Sequence, residues 1–246
     1  MKLHVERIGS GPPVLLVHGA VTGARLTWRE QLVLAERWEL HLVDRPGFGA
    51  SPPVERVDFE VDAPLVAELL GRGAHLVGHS YGGVVSLLAA VRRPERVRSL
   101  TVIEPPAFAV ARGQHPVERF VADAQTLWAE APEEPERFLR RFLALVGSKP
   151  IRGRLKPELE RGARLLRAER GPWEAEIPLE ALAATRFPKL VVSGGHHAAF
   201  DAVCDVLVRR LGAERAAFPG AGHSVQRAGA PFNARLEAFL RSAERG

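Results

Sequence analysis

Hydrophobic residues along the chain group into short, nearly continuous runs that are separated by longer amphipathic segments. The strong runs cover residues 14–17, 40–43, 75–77, 100–103 and 190–192, and a weaker run covers 216–218. Runs without polar alternation are typical of parallel strands that are buried on both faces of a sheet. Residues 3–8 alternate instead between apolar and charged side chains, which predicts an additional edge strand.

Helical periodicity fills most of the gaps between these runs. Apolar residues recur at helical spacing in residues 28–38, 58–70, 81–91, 200–211 and 232–240. This alternation of strands and helices predicts an α/β protein with a doubly wound, mostly parallel sheet.

Residues 105–187 depart from the alternation. The segment shows helical patterns and no convincing strand, and prolines divide it, at Pro116, Pro132, Pro135, Pro150, Pro157, Pro172 and Pro178. We interpret it as a helical insertion, called the lid below, between two parts of one core, residues 1–104 and 188–246. Because ligands of open α/β sheets bind at the carboxyl ends of the strands, we expect the lid to cover that edge.

A serine in a glycine-rich turn joins the third apolar run to the helix that follows it. Gly78, Ser80 and Gly82 form a G-x-S-x-G sequence between the two elements. The turn is too tight for side chains at the glycines, and it is expected to strain Ser80 and lift its hydroxyl above the sheet edge. An ordinary glycine-rich turn is the structural alternative. The functional interpretation makes Ser80 a nucleophile and the Tyr81 amide, in the first helical turn, an oxyanion donor.

Two further turns follow the first strong runs. Gly19 ends the first run and allows a ligand to approach the backbone closely, so the amide of Ala20 is the candidate for the second oxyanion donor. An ordinary strand-to-loop glycine is the alternative. Residues 44–51, rich in glycine and proline, are interpreted as tight turns with a structural role only.

A serine nucleophile needs a histidine base, and nine histidines are present. His223 lies in a glycine-rich loop after the last apolar run, from which an imidazole can reach a serine on a central strand. The pair His196 and His197 is the other candidate. The remaining histidines are assigned to strands, to the borders of motifs or to the lid, and they are His4, His18, His41, His75, His79 and His115.

These motifs together resemble the α/β-hydrolase fold superfamily. The resemblance rests on His18 with Gly19, residues 44–51, the turn 78–82 and the loop 220–223, and it spans nearly the whole chain. It implies a serine hydrolase with a helical lid, a chain order of serine, acid and histidine, an acyl-enzyme intermediate and no cofactor. It does not specify the substrate.

The acid is the point at which this sequence departs from the superfamily pattern. The resemblance would place an aspartate after residues 190–192, where His197 stands instead. Glu104 is the preferred candidate, because it ends a buried strand and a buried carboxylate needs a partner. Asp201 is the second candidate, although it is more simply a first-turn helix acid. A metal site of His196, His197 and Asp201 is disfavoured, and no metal is expected.

Composition narrows the class of protein. The chain has 246 residues, 46% of them hydrophobic, enough for one large α/β domain with an insertion. The net charge of +5 comes from arginines scattered among glutamates, which does not indicate nucleic-acid binding. No apolar stretch is long enough for a membrane span and the first residues lack a signal-peptide core, so we expect a cytoplasmic protein.

The sequence therefore predicts a serine hydrolase that acts on a small, apolar carboxylic ester through Ser80, His223 and Glu104. Two alternatives stay open on the same scaffold: cleavage of a carbon–carbon bond or a lactone, and a non-catalytic protein that binds small ligands. The second is kept because His197 occupies the expected acid position. A homo-oligomer is possible, and the sequence does not decide it.

Overall fold

A computed structural model describes residues 1–131 and 134–245, so the predicted helix break at Pro132 lies outside the described residues. Within them, seven strands form one sheet in the order β1-β3-β2-β4-β5-β6-β7. Their bounds are β1 (Val5–Ile8), β2 (Pro13–Val17), β3 (Glu39–Val43), β4 (Ala74–His79), β5 (Val97–Ile103), β6 (Lys189–Ser193) and β7 (Glu214–Ala217). The pairing is parallel throughout except between β1 and β3. The predicted mostly parallel sheet with an edge strand is confirmed.

Helices connect the strands on both faces. Their bounds are α1 (Ala24–Thr27), α2 (Phe59–Glu68), α3 (Tyr81–Arg92), α4 (His115–Glu130), α5 (Pro135–Leu145), α6 (Pro157–Arg167), α7 (Leu179–Ala183), α8 (Ala198–Leu211) and α9 (Ala230–Ala243). The predicted helices at 58–70, 81–91, 200–211 and 232–240 correspond to α2, α3, α8 and α9. The helical pattern at 28–38 is a 3-10 helix, Arg29–Glu36, rather than an α-helix.

Two apolar clusters, one on each face of the sheet, explain the continuous hydrophobic runs. In β2, Leu15 and Val17 belong to the cluster that includes residues of α2, α3 and α8. The neighbouring Val14 and Leu16 belong to the cluster that includes residues of α9 and the 3-10 helix. Because successive side chains of a strand point to opposite faces, a strand covered on both sides must be apolar at every position.

The lid lies between β5 and β6. Its described residues form α4, α5, α6 and α7 with short 3-10 turns, and none of them belongs to a strand of the sheet. A third apolar cluster joins the lid to the loop after β2, because it contains Val21 together with Phe138 of α5 and Leu166 of α6. The division into core and lid at residues 105 and 187 stays a prediction.

No helix in the described part of the chain combines the length and the apolar character that a bilayer span requires.

The turn around Ser80 depends on glycines that bring backbone segments into contact. A side-chain carbon at Gly82 would overlap the carbonyl oxygens of Val17 and His18, at the end of β2. One at Gly78 would overlap the carbonyl oxygen of Gly82. Only hydrogen fits at these two positions, so α3 and β2 meet backbone to backbone beside Ser80.

Buried titratable side chains of the core and the lid lie close together. Arg45, which is fully buried, donates from Nη1 to Asp62 Oδ2 at 2.8 Å, and its Nη2 lies 3.9 Å from Glu169 Oε2 of the lid. Glu169 Oε2 is buried without a hydrogen-bond partner. Burial raises the pKa of Glu169 to about 8 against the opposing charge of Arg45, so this side chain is largely protonated at neutral pH.

Substitution of the two adjacent glycines of α3 should have unequal effects on stability. Gly82→Ala should lower the free energy of unfolding by about 3 kcal/mol or more, since the new methyl group meets fixed backbone. Gly83→Ala is the matched control. Its methyl group would come no nearer than 3.0 Å to another atom, Pro105 Cβ, and helix propensity favours alanine over glycine at this position. Urea unfolding of both variants measures the difference, and equal losses would contradict the packing argument.

Glu169→Gln should change how stability depends on pH. The unfolded chain releases the Glu169 proton near its ordinary pKa of 4.5, whereas the folded protein keeps it to about 8. Ionisation therefore favours unfolding, and this contribution to stability falls as pH rises from about 4.5 to about 8. The free energy of unfolding of Glu169→Gln should therefore rise relative to that of the unsubstituted protein across that range. Urea unfolding should show a difference of about 1 kcal/mol or more at pH 9.

Glu158→Gln, which changes an exposed glutamate of α6, is the control for this measurement. Its stability should follow that of the unsubstituted protein at each pH. If the two variants have the same pH dependence, Glu169 does not hold its proton in the fold.

Candidate active site

Ser80 lies at the apex of the turn between β4 and α3. Its backbone angles are φ 51° and ψ −126°, in a region that residues with a side chain rarely adopt. The Ser80 amide donates to the carbonyl oxygen of Ile103 at 2.8 Å, which fixes the turn against the end of β5. The strained conformation that the sequence predicts at Ser80 is present.

His223 reaches Ser80 from the loop that follows β7. The Ser80 hydroxyl lies 2.8 Å from His223 Nε2, and His223 Nδ1 lies 3.4 Å from Glu104 Oε2. From beneath, His79 Nε2 donates to the carbonyl oxygen of His223 at 3.0 Å. The three residues predicted as nucleophile, base and acid therefore form one chain of polar contacts, although they are far apart in sequence.

Glu104 is held rigidly at the carboxyl end of β5. Its backbone has φ 49°, its amide donates to the carbonyl oxygen of Val192 at 2.9 Å, and its side chain is fully buried. The Gly194 amide donates to Glu104 Oε1 at 2.6 Å. The other oxygen, Oε2, is thereby directed at His223.

Burial controls the charges of this group. Desolvation lowers the pKa of His223 to about 3, so its imidazole is neutral at pH 7 and its Nε2 can accept a proton from Ser80. Desolvation also raises the pKa of Glu104 to about 7, while the hydrogen bond from Gly194 opposes the rise. Neither charge is favourable alone, so a positive imidazole is stabilised only beside a negative Glu104.

The peptide between Gly19 and Ala20 is oriented by two buried side chains. The Gly19 carbonyl oxygen accepts from Arg45 Nη2 at 3.0 Å and contacts His18 Nδ1 at 2.7 Å. Because the peptide is trans and planar, fixing this oxygen directs the Ala20 amide the opposite way. Ala20, Ser80 and Tyr81, which include the two predicted oxyanion donors, all line the same cavity.

Asp201, the second candidate for the acid, lies outside this group. Its carboxylate contacts Arg215 at 3.5 Å and is one-third exposed on α8. His197, at the expected acid position, instead accepts at Nδ1 from the Ala199 amide at 3.2 Å and caps the N-terminus of α8. The structure therefore brings Glu104, and not Asp201, to His223.

His196 is a neighbour of the acid that the sequence did not indicate. His196 Nδ1 lies 3.7 Å from Glu104 Oε2, and His196 Nε2 donates to the carbonyl oxygen of Val146 in the lid at 3.0 Å. The doublet of histidines after β6 was the only available signal. Its partners come from distant segments, so spacing could not show which histidine turns inward.

An aromatic cavity lies above Ser80, beneath the lid. Its walls are mostly apolar: Ala20, Tyr81, Pro106, Phe108, Phe120, Ala124, Trp128, Phe142, Leu145, Val146, Pro172, Trp173 and Phe200. Glu169, which the sequence also did not indicate, contributes to the wall. A cavity with few polar groups beside a serine suits an apolar ligand.

Comparisons with known proteins agree with this architecture. The chain is 36% identical over 170 residues to a pimeloyl-[acyl-carrier protein] methyl ester esterase of Aeromonas hydrophila, a match that covers 58% of this chain and 65% of that protein. A protein of the same name from Methylococcus capsulatus is 34% identical over 199 residues, covering 77% of this chain and 73% of the relative. The chain thus covers slightly less than two thirds of the first relative and more of the second.

Solved structures and a family model give the same result. An alpha/beta hydrolase from Sphaerobacter thermophilus superposes with a TM-score of 0.72 at 24% identity, covering 97% of this chain and 96% of that one, which shows a shared fold. The model of the alpha/beta hydrolase family matches residues 14–235, from β2 into α9. The chain belongs to the alpha/beta hydrolase family.

Proposed function

We propose that the protein is a serine hydrolase that cleaves a small carboxylic ester. The observation that carries the proposal is the 2.8 Å contact between the Ser80 hydroxyl and the neutral His223 imidazole, at a strained turn beneath an apolar cavity. The relatives from Aeromonas hydrophila and Methylococcus capsulatus are named as methyl ester esterases, which supports the same class of reaction.

In the proposed reaction, Ser80 Oγ attacks the ester carbonyl carbon while its proton moves to His223 Nε2. The amides of Ala20 and Tyr81 donate to the negative oxygen of the tetrahedral intermediate. The proton on Nε2 then passes to the leaving alkoxide, the carbon–oxygen bond breaks, and an acyl-enzyme and an alcohol result. Water, deprotonated by His223, attacks the acyl carbon in the same way and releases the carboxylic acid and Ser80.

Glu104 has two tasks in this proposal. Its carboxylate accepts from Nδ1–H of His223, which selects the tautomer with a free Nε2. It also stabilises the positive imidazole that forms when Ser80 loses its proton. Because both groups are buried, the gain from this pairing is larger than it would be in water.

The cavity favours esters with an apolar acyl chain. Its aromatic walls offer little compensation for the lost hydration of a charged acyl group. Glu169 is largely protonated at neutral pH and can act there as a neutral hydrogen-bond donor. Methyl esters of short and medium acyl chains are therefore the first substrates to test, and no cofactor is needed for the reaction.

Ser80→Ala should abolish covalent labelling by a fluorophosphonate probe and should lower kcat for a nitrophenyl ester by about 10⁴-fold or more, because the nucleophilic oxygen is removed. Ser86→Ala is the matched control, since Ser86 is a buried serine of α3, the helix that follows Ser80, and does not line the cavity. It should keep labelling and most of the rate. Undiminished labelling of Ser80→Ala would refute the assigned nucleophile.

Glu104→Gln should lower kcat by about 10²- to 10⁴-fold with a smaller change in KM, because an amide cannot stabilise the positive imidazole. Asp201→Asn should stay within about twofold of the unsubstituted rate, since Asp201 faces Arg215 and not His223. Steady-state kinetics of both variants, with circular dichroism to verify folding, give the comparison. If Asp201→Asn lowered kcat more than Glu104→Gln does, the acid would be Asp201 of α8 and not Glu104.

Lactones and β-diketones belong in the same substrate panel, because Ser80 and His223 can act on their carbonyl carbons in the same way. If the protein turns over a lactone or a β-diketone faster than any ester, that class becomes the proposed substrate in place of the ester. A protein that binds apolar ligands in the cavity and hydrolyses none of these compounds would instead be a non-catalytic member of the family.

A further inference from the structure

His196 has an unusual relation to Glu104. Its Nε2 faces the carbonyl oxygen of Val146, which can only accept a hydrogen bond, so in the neutral form of the ring Nε2 carries the single proton. The other nitrogen, Nδ1, then presents a lone pair to Glu104 Oε2 at 3.7 Å, and it is buried without a hydrogen-bond partner. A lone pair beside a carboxylate is unfavourable unless a proton or a metal ion lies between them.

A second imidazole nitrogen faces the same oxygen. His223 Nδ1 lies 3.4 Å from Glu104 Oε2, and one ligand atom from each of Glu104, His196 and His223 falls within 4.8 Å of the others. We propose that these three residues form an inhibitory Zn²⁺ site. Two imidazoles and a carboxylate with one open position for water are a ligand set that zinc adopts in proteins.

The surroundings of the three ligands also suit a metal. Imidazoles that bind a metal commonly donate their other N–H to a backbone carbonyl, as His196 does to Val146. The second oxygen of Glu104 is held by the Gly194 amide, which keeps Oε2 directed at the two rings. The His196 side chain is 11% exposed and lies beside the exposed Gly195, which gives an ion a route from solvent.

Zinc at this position would stop the proposed hydrolysis, on which the inhibitory role rests. When Nδ1 of His223 binds Zn²⁺, the proton of the neutral ring must reside on Nε2. Nε2–H then donates to Ser80 Oγ and cannot accept its proton, so the base is lost. No redox change occurs: nitrogen and oxygen lone pairs form bonds to the ion, the ring proton is relocated, and any proton on Glu104 passes to solvent.

Direct binding tests the site without reference to activity. The protein, first treated with EDTA and then dialysed, should bind one Zn²⁺ per chain in competition with a fluorescent chelator. Co²⁺ in its place should give the intense visible absorption of a four-coordinate ion. His196→Gln, whose amide can still donate to Val146, should weaken Zn²⁺ binding at least about tenfold. His197→Gln is the matched control and should bind as the unsubstituted protein does, because His197 lies outside the cluster.

Inhibition is the second measurement. Zn²⁺ should lower ester hydrolysis and slow fluorophosphonate labelling over the concentration range in which it binds, EDTA should restore both, and His196→Gln should shift inhibition to at least about tenfold higher Zn²⁺. Each variant is compared with its own rate without metal. Absence of stoichiometric binding, or equal Zn²⁺ sensitivity of the two glutamine variants, would overturn the proposal. If no ester is hydrolysed, the proposed function fails while the binding experiment still decides the metal site.

Discussion

The end of β2, the Gly19–Ala20 peptide and the first turn of α3 approach one another closely around Ser80, and the rest of the site depends on this packing. The first turn of α3 contacts the end of β2 without an intervening side chain, because Gly82 leaves no room for one. A side-chain carbon at Gly19 would likewise come within 2.9 Å of Ser80 Cβ. This packing brings the serine beside the Ala20 peptide, and Arg45 holds that peptide from the opposite side. Strain at Ser80 persists because the surrounding packing over-determines its conformation.

Local patterns were sufficient to predict the sheet, its edge strand, four of the core helices and the contact between Ser80 and His223. Each of these features leaves a signal in neighbouring residues: strands buried on both faces require continuous apolar runs, and the tight turn requires glycines. The 3-10 helix at Arg29–Glu36 was not distinguishable from an α-helix, since both show the same short-range apolar spacing over one or two turns.

Contacts between distant segments could not be predicted in the same way. His196 contacts Val146 of the lid, and Arg45 lies near Glu169, so these pairings appear only when the lid is folded onto the core. In both pairings a titratable side chain is enclosed by a segment that is distant in sequence. Such groups cannot be recognised from residue type, because charged residues on the surface have the same letters. The cavity wall therefore contains a protonatable side chain, Glu169, that the sequence did not indicate.

The position of the acid follows from what β5 and β6 do at the edge of the sheet. The loop after β6 ends in His197, whose ring accepts a hydrogen bond from the backbone at the start of α8. This side chain therefore caps the helix and is not hydrogen-bonded to His223. The adjacent strand β5 ends one residue before Glu104, and the Ser80 amide bonds to that last residue of β5. A carboxylate placed there is next to the serine turn without any further loop. The same arrangement places His196 on the inner side of the loop after β6, so Glu104 lies between two imidazoles. A cation at this position would compete with the proton on His223 Nδ1, which the proposed reaction requires.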